Sequence, residues 1–179
     1  MNFFGDCLRA SHAAHDWPGW EVIYRKAFPS FASMVDHRED GYWQRLGIDR
    51  TVVLKSSKVI RIDEKVRGRN RISGKVYDDI LLEFLSDEDG RAPGWIEKPL
   101  LADYIAYAIL PLGVCHLLPV EQLQTAWERH GELWRHNYRS IRAKNPSWVT
   151  CSVAVPPSVL YPAIGGCLRV AFEPTDVAS

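Results

Sequence analysis

Two aspartates and a lysine stand beside two neighbouring apolar runs in the first third of the chain. Asp49 precedes the run "RTVVL", and the triplet "DEK", which contains Asp63 and Lys65, closes the run "KVIRI". Carboxylates are ligands that Mg²⁺ prefers in proteins. A lysine beside them can orient or deprotonate an attacking water, or neutralise charge on a phosphate. These residue types therefore predict a site in which a divalent cation, Mg²⁺ or Mn²⁺, holds a phosphodiester.

Two strands must position these residues, and the sequence predicts them over residues 48–54 and 58–66. Both segments are rich in Val and Ile and alternate apolar with polar side chains, which is typical of half-buried strands. The short connection "KSSK" predicts a tight turn, so the two strands form an antiparallel hairpin. The apolar side chains expected to pack inward are Val52, Ile60 and Ile62.

The length of the turn decides which acids face each other. A three-residue turn sets Asp49 directly opposite Asp63, with Lys65 two residues further along on the same face. A two-residue turn sets Asp49 opposite Glu64 instead, which makes Glu64 a reserve metal ligand. Two facing carboxylates repel each other unless a positive charge lies between them. The alternative is a solvated hairpin in which Lys65 forms ion pairs with the acids and no metal is bound.

A local cluster of basic residues follows the second strand in a chain whose net charge is zero. Lys+Arg and Asp+Glu both number 22, which argues against a protein that coats nucleic acid through bulk charge. Contact with a nucleic acid therefore requires a local patch, and the cluster beside the acids is suited to grip backbone phosphates. A solvated loop that blunts a strand edge is the alternative. The predicted phosphate-binding residues are Arg67, Arg69, Arg71 and Lys75.

The remaining pattern predicts a chain of alternating helices and strands in a single domain over 1–179. Three consecutive strands on short connections imply an antiparallel meander, and a strand reached through a helix can pair parallel, which gives a mixed α/β sheet. The predicted elements are a helix over 17–31, a third strand over 78–86, a helix over 98–109, a strand over 110–118, a helix over 120–141, a strand over 147–155 and a short helix or loop over 156–166.

The order of these elements and the spacing of the acids resemble the PD-(D/E)XK nuclease superfamily, which has an αβββαβ core. The likeness extends from about Glu21 to Leu118, and the segments "GIDRTVVL", "KVIRIDEKVR", "DDILLE", "GWI" and "ADYIAY" are similar to phage and prophage proteins of this fold. It implies an α/β, restriction-endonuclease-like core over about 17–118, with a helix and strand appended over 119–179. The sequence departs from the usual motif by having Asp63 where Glu is commoner and by lacking a proline before Asp49.

The resemblance implies a metal-dependent endo- or exonuclease that hydrolyses DNA phosphodiester bonds. Asp49 and Asp63 would hold the metal, Lys65 would serve the water, and Glu21 on the first helix would be an additional acid. The alternative is a non-catalytic protein of the same fold that binds DNA or, as a phage-encoded protein, inhibits a host factor. The expected partners are accordingly DNA, a protein partner, or a second copy of the chain.

The sequence also favours a cytoplasmic protein. No apolar run approaches the ~20 residues of a membrane span, and the first residues show no basic segment followed by an apolar one, so we expect no signal peptide. The four cysteines are scattered without a CxxC pair, which is typical of reduced thiols rather than of a disulfide framework or a zinc site.

Overall fold

The structure is a computed structural model that describes residues 17–70 and 73–175. It divides into two compact units, each of which is assembled from separate segments of the chain. Of the described residues, the six-stranded unit contains 17–70, 73–77, 100–120 and 167–175, and the four-stranded unit contains 78–99 and 121–166.

The elements alternate between strands and helices along the chain. The strands are β1 (Phe31–Asp36), β2 (Arg50–Leu54), β3 (Val59–Arg67), β4 (Ile80–Asp87), β5 (Ala92–Pro93), β6 (Tyr104–Ile109), β7 (Val114–Pro119), β8 (Ser140–Lys144), β9 (Val149–Val155) and β10 (Leu168–Ala171). The helices are α1 (Gly19–Ala27), α2 (Gly41–Arg45), α3 (Val120–Asn137) and α4 (Pro157–Ala163). The protein is thus of the mixed α/β class.

The six-stranded unit is built on a mixed sheet with the strand order β1-β2-β3-β6-β7-β10. Neighbouring strands are antiparallel except for β3 and β6, which pair parallel. The prediction of a mixed α/β sheet is therefore confirmed. A parallel pair requires a long crossover between its strands, and here the chain leaves the sheet after β3 and returns only at β6.

Helix α1 covers one face of this sheet because its apolar residues recur at helical spacing. Trp20, Ile23 and Tyr24 lie three and four residues apart, and all are at most 1% exposed. They belong to one hydrophobic cluster with the inward side chains Val52 and Ile62 of the β2–β3 hairpin. Complete burial of such a side chain contributes about 1.5–3 kcal/mol, so α1 is held chiefly by this face.

The β2–β3 hairpin has the three-residue turn that places Asp49 opposite Asp63. The Leu54 N–H donates to Lys58 O at 2.9 Å, and Ser57 adopts a left-handed conformation with φ of 65°, as expected for a three-residue loop. Arg50 pairs with Ile62 in the strand register. The register stops at that pair, and beyond it the Asp49 N–H still donates to Ile62 O at 2.9 Å, which keeps Asp49 beside β3. The alternative two-residue turn is thereby excluded.

Strand β6 replaces the helix that was predicted over 98–109. Its residues 105–109 are at most 4% exposed, and it lies between β3 and β7 in the sheet. A central strand that is buried on both faces has a continuous apolar sequence rather than an alternating one, and such a run cannot be told from a buried helix by its periodicity. The helix prediction was wrong for this reason.

The predicted three-stranded meander is also wrong, because the third strand belongs to a different sheet. Strand β4 pairs with β5 and β9 in an antiparallel sheet of order β5-β4-β9-β8. The partner strand β9 lies far along the sequence. The element order of an αβββαβ core is therefore not reproduced as it was predicted.

The later elements agree better with the sequence pattern. The predicted helix over 120–141 is α3, which ends at Asn137, and the predicted strands over 110–118 and 147–155 are β7 and β9. Strands β1, β5, β8 and β10 were not predicted. No helix within residues 17–70 and 73–175 is both long enough and apolar enough to cross a membrane.

Candidate functional site

Asp49 and Asp63 face each other across the β2–β3 ladder, and a backbone hydrogen bond fixes one of them. The Glu64 N–H donates to Asp49 Oδ2 at 2.8 Å, so the Asp49 carboxylate is oriented by the neighbouring strand. Asp63 is only 4% exposed. The result is a pair of acids at the end of a hairpin, one anchored to backbone and the other almost wholly buried.

The buried environment of Asp63 opposes its ionisation. Burial is the main cause that raises the pKa of Asp63 to about 6, and the negative charge of Asp49 raises it further. The ammonium of Lys65 acts in the opposite direction, since it forms an ion pair with Asp63 Oδ1. A second positive charge near the two carboxylates would therefore stabilise their ionised forms.

Glu64 lies on the opposite face of β3 from Asp63 and Lys65, as the alternation of a strand requires. Its carboxylate accepts hydrogen bonds from Tyr24 Oη at 2.6 Å and from Arg50 Nε at 2.6 Å. Burial raises the pKa of Glu64, and the hydrogen bond from Arg50 opposes the rise. The structure thus brings the backbone of Glu64 to Asp49 but directs its side chain, the reserve ligand, to the face covered by α1.

Glu21 is not brought together with the two aspartates. It lies in the first turn of α1, where its carboxylate accepts from Arg25 Nη2 at 2.6 Å in an exposed pair one helical turn apart. Helix α1 packs on the face of the sheet that carries Val52 and Ile62. The additional acid implied by the resemblance therefore has a local partner on its own helix.

The predicted phosphate-binding residues lie at the end of β3 and in the loop that follows. Arg67 follows Lys65 by two residues on the same face of β3, and its guanidinium lies 5.5 Å from the centre of the Tyr77 ring. Arg69 and Lys75 are exposed on the loop. Asn70 shapes that loop, because its side chain accepts from the Ser73 N–H at 2.8 Å. Arg71 lies outside the described residues.

A residue that the sequence analysis missed lies next to the acid pair. The His37 N–H donates to Asp49 O at 2.8 Å, which extends the β1–β2 ladder and sets His37 opposite Asp49. The His37 imidazole lies 3.0 Å from Thr51 Oγ1 and stacks on the ring of Trp43. The segment of β1 was not assigned to a strand, so no signal connected His37 with the hairpin.

The acid pair offers two carboxylates, which is fewer than a complete metal cage of protein ligands. In the part of the chain that the structure describes, no group of three or more His, Cys, Asp or Glu side chains is arranged to hold a metal ion. Mg²⁺ commonly uses one or two carboxylates together with waters and substrate phosphate oxygens. Asp49 and Asp63 therefore fit the smaller protein contribution that this ion accepts.

The four-stranded unit carries a separate cleft between α3 and residues 96–99. Its volume is about 490 Å³, and its lining includes Trp127, Gly131 and Arg135 on one side of α3. The Trp127 indole N–H donates to Glu97 Oε1 at 3.3 Å. The cleft therefore combines an aromatic surface with charged groups of both signs, as ligand-binding clefts often do.

Comparisons of the chain with protein-family models, with curated proteins and with solved structures found no match.

Proposed function

We propose that the protein is a metal-dependent nuclease of the cytoplasm, related to the PD-(D/E)XK superfamily, that hydrolyses DNA phosphodiester bonds. The observation that carries the proposal is the placement of Asp49 opposite Asp63, with Lys65 on the same face of β3. Burial of Asp63 beside another carboxylate supports it further, because the arrangement is unfavourable for two anions without a cation.

Each residue of the candidate site has a defined task in the proposed reaction. Asp49, held by the Glu64 N–H, and Asp63 would bind Mg²⁺ or Mn²⁺, which when bound stabilises negative charge on the phosphodiester oxygens. Lys65 would orient the attacking water and offset charge on the phosphate. Arg67, Arg69 and Lys75 would hold the adjoining backbone phosphates, with Arg71 in the same loop.

Cleavage of labelled DNA tests the proposal directly. Linear and circular, single-stranded and duplex DNA are incubated with the protein in Mg²⁺ or Mn²⁺, and parallel reactions contain EDTA. We expect metal-dependent cleavage that the variant Asp63→Asn loses. Cleavage that survives in EDTA or in Asp63→Asn would assign the activity to another site or to a contaminant. The absence of cleavage in every substrate would reject a nuclease.

A non-catalytic binding protein is the second candidate, and the cleft in the four-stranded unit favours it. Trp127 and Arg135 are the residue types that most often carry binding energy at protein interfaces. On this proposal the chain binds DNA or a protein partner without cleaving it. Tight binding to DNA or to a purified partner, together with a lack of cleavage in all metals, would select this candidate.

A further inference from the structure

An aromatic cluster lies on the surface of the six-stranded unit, in the segment of the chain that connects β1 to β2. The rings of His37 and Trp43 are stacked, with centroids 4.4 Å apart and planes at 23°. The Tyr42 ring meets Trp43 edge-on at 5.8 Å. Tyr42 is 60% exposed and Trp43 is partly exposed. We call these three side chains the aromatic platform.

The platform is on the same face of the sheet as the two aspartates. His37 lies opposite Asp49 across the β1–β2 ladder, and its imidazole contacts Thr51 Oγ1 at 3.0 Å. Thr51 follows Asp49 by two residues, so both side chains point to the face that also carries Asp63. The aromatic rings therefore begin one strand away from the carboxylates that would hold the metal ion at the scissile phosphate.

The backbone around the platform is fixed by hydrogen bonds. The Asp40 side chain accepts from the Tyr42 N–H at 2.9 Å and so caps helix α2. The Trp43 carbonyl accepts from the Leu46 N–H at 3.0 Å and from the Ile48 N–H at 3.1 Å. Since the backbone that carries both rings is ordered before any ligand binds, a ligand that stacks on Tyr42 loses less free energy to ordering the protein.

The charges around the platform favour a neutral ring over a phosphate. Glu39 and Asp40 precede α2, and Arg38 is already paired with Asp36. Arg45 is an exposed cation in the same helix, so the segment has no clear excess of positive charge. A nucleobase presents a flat ring to an aromatic side chain, and stacking of this kind contributes about 1–3 kcal/mol per base.

We propose that the aromatic platform stacks on an unpaired base of a nucleic-acid strand whose neighbouring phosphate lies at the metal ion that Asp49 and Asp63 would hold. This inference rests on the proposed function and defines its substrate as a strand that is single-stranded beside the cleavage point. Bases inside a duplex are stacked on each other and do not offer a face to Tyr42. The ligand chemistry is shared by DNA and RNA, so the test includes both.

Binding without cleavage isolates the platform from catalysis. Fluorescently labelled single-stranded oligonucleotides of DNA and RNA, and a DNA duplex of the same length, are titrated with wild-type protein in Ca²⁺, an ion that carboxylates bind, and gel electrophoresis verifies that the oligonucleotides stay intact. The variant Tyr42→Ala should weaken single-strand binding about 10-fold, which corresponds to about 1.4 kcal/mol. Binding of the duplex should not change. The variant Tyr42→Phe retains the ring and should bind single strands like the wild type.

Leu112 provides the matched control, because it is another exposed apolar side chain of the same unit, 43% exposed. The variant Leu112→Ala should leave single-strand affinity unchanged. An equal loss of single-strand and duplex binding in Tyr42→Ala overturns the proposal, as does an unchanged single-strand affinity. Wild-type protein that binds no single strand overturns it as well.

The outcomes also separate this inference from the proposed nuclease. If DNA is cleaved but Tyr42→Ala binds single strands normally, the platform is rejected and the nuclease stands. If no DNA is cleaved but single-strand binding depends on Tyr42, the platform stands and the chain is a binding protein. Sedimentation of the wild-type and Tyr42→Ala proteins completes the test. If the wild type self-associates, Tyr42→Ala does not, and both bind nucleic acid equally well, the platform contacts a second copy of the chain. That result would overturn the proposal.

Discussion

Glu64 connects the two faces of the sheet at the candidate site. Its backbone N–H donates to Asp49 Oδ2 at 2.8 Å, while its side chain accepts from Tyr24 Oη and Arg50 Nε on the opposite face. The buried hydrogen bonds of the Glu64 side chain on the α1 face of the sheet therefore help to set the position of the Asp49 carboxylate on the other face. Changes on the α1 side should consequently affect Asp49, whose negative charge in turn raises the pKa of Glu64.

Removing one member of the Arg50–Glu64 ion pair should destabilise the protein more than removing both members. Replacing Arg50 by Met leaves the Glu64 carboxylate buried without its cationic partner, and we expect a loss on the order of 3 kcal/mol in the free energy of unfolding. The double variant Arg50→Met with Glu64→Gln should recover most of this loss. Urea denaturation followed by circular dichroism measures both. Equal instability in the single and double variants would show that the uncompensated charge is not the cause.

The metal-free protein should become less stable as the pH rises through the titration of Asp63. Its pKa is raised to about 6 in the folded state from an ordinary value of 3.8. The stabilising contribution of the protonated acid is therefore complete below 3.8 and is lost as the pH rises to about 6. Asp63→Asn should remove this dependence, so its stability relative to wild type should rise with pH by an amount on the order of 2 kcal/mol.

Thermal melting in EDTA from about pH 2 to above pH 6 covers the titration of both acids and checks the prediction. Asp36→Asn is the control, because hydrogen bonding from Arg38 lowers the pKa of Asp36 to about 2. The stability contributed by Asp36 is present above its unfolded pKa and is lost as the pH falls toward about 2. The two variants should therefore differ from wild type with opposite pH dependence. Parallel pH profiles for wild type and Asp63→Asn would mean that Asp63 titrates normally.

The hairpin could be predicted from the sequence because its information is local. Alternation around Val52, Ile60 and Ile62 defines the buried face, and the short "KSSK" connection limits the turn to a few lengths. The placement of Asp63 and Lys65 on one face follows from the same periodicity. The strands β4 and β6 could not be placed in this way, since their neighbours β9 and β3 are distant in sequence.

The surroundings of the acid pair depend on the same distant pairings. His37 reaches Asp49 only because β1 adds to the edge of the hairpin, and the sequence analysis predicts no strand there, since its first helix ends at residue 31 and residues 32–37 belong to no predicted element. Glu21 was placed near the site by resemblance, whereas the packing of Trp20 and Tyr24 fixes the rotation of α1. The rotation of a helix about its own axis decides where each of its side chains points. Packing across the whole core sets this rotation, and a short motif does not encode it.

The basic loop should contribute to DNA affinity mainly through phosphate contacts. Changing Arg67 and Arg69 together to Ala should weaken binding to all sequences alike and lower the slope of log affinity against log salt by roughly 2, because each phosphate contact contributes about 0.9. Fluorescence anisotropy at several salt concentrations measures the slope. Lys144→Ala, at an exposed end of β8, serves as the control and should leave the slope unchanged. A slope that does not move in the double variant would make the cluster a solvated loop.

Lys65 should be required for cleavage but not for folding. Its side chain is partly exposed and pairs with Asp63, so Lys65→Ala removes a group at the reacting face without opening the core. We expect cleavage to fall by about 100-fold or more, the usual effect of removing a group that stabilises charge in the transition state. Circular dichroism verifies the fold, and Lys58→Ala is a control in the same hairpin. A well-folded Lys65→Ala protein that cleaves at the wild-type rate would exclude Lys65 from the mechanism.

Metal binding should stabilise the folded protein through Asp49 even when no substrate is present. An ion that binds only the folded site at a free concentration ~100 times its dissociation constant raises the free energy of unfolding by about 2.7 kcal/mol. Asp49→Asn keeps the shape of the side chain but removes one of the two charges, so its gain should be much smaller. The metal-free variant should melt at the wild-type temperature or higher, because it no longer places two carboxylates opposite each other.

Melting curves of both proteins across a titration of Mg²⁺ or Mn²⁺ decide between a metal site and a plain hairpin. Lys65 already neutralises part of the charge on Asp63, so it reduces the difference between the metal-free proteins. The response to metal is for this reason the more sensitive comparison. Asp36→Asn removes an acid that pairs with Arg38 and should respond to metal like the wild type. If Asp49→Asn gains as much stability as the wild type, Asp49 is not a ligand, and Lys65 rather than a metal balances the charge of Asp63.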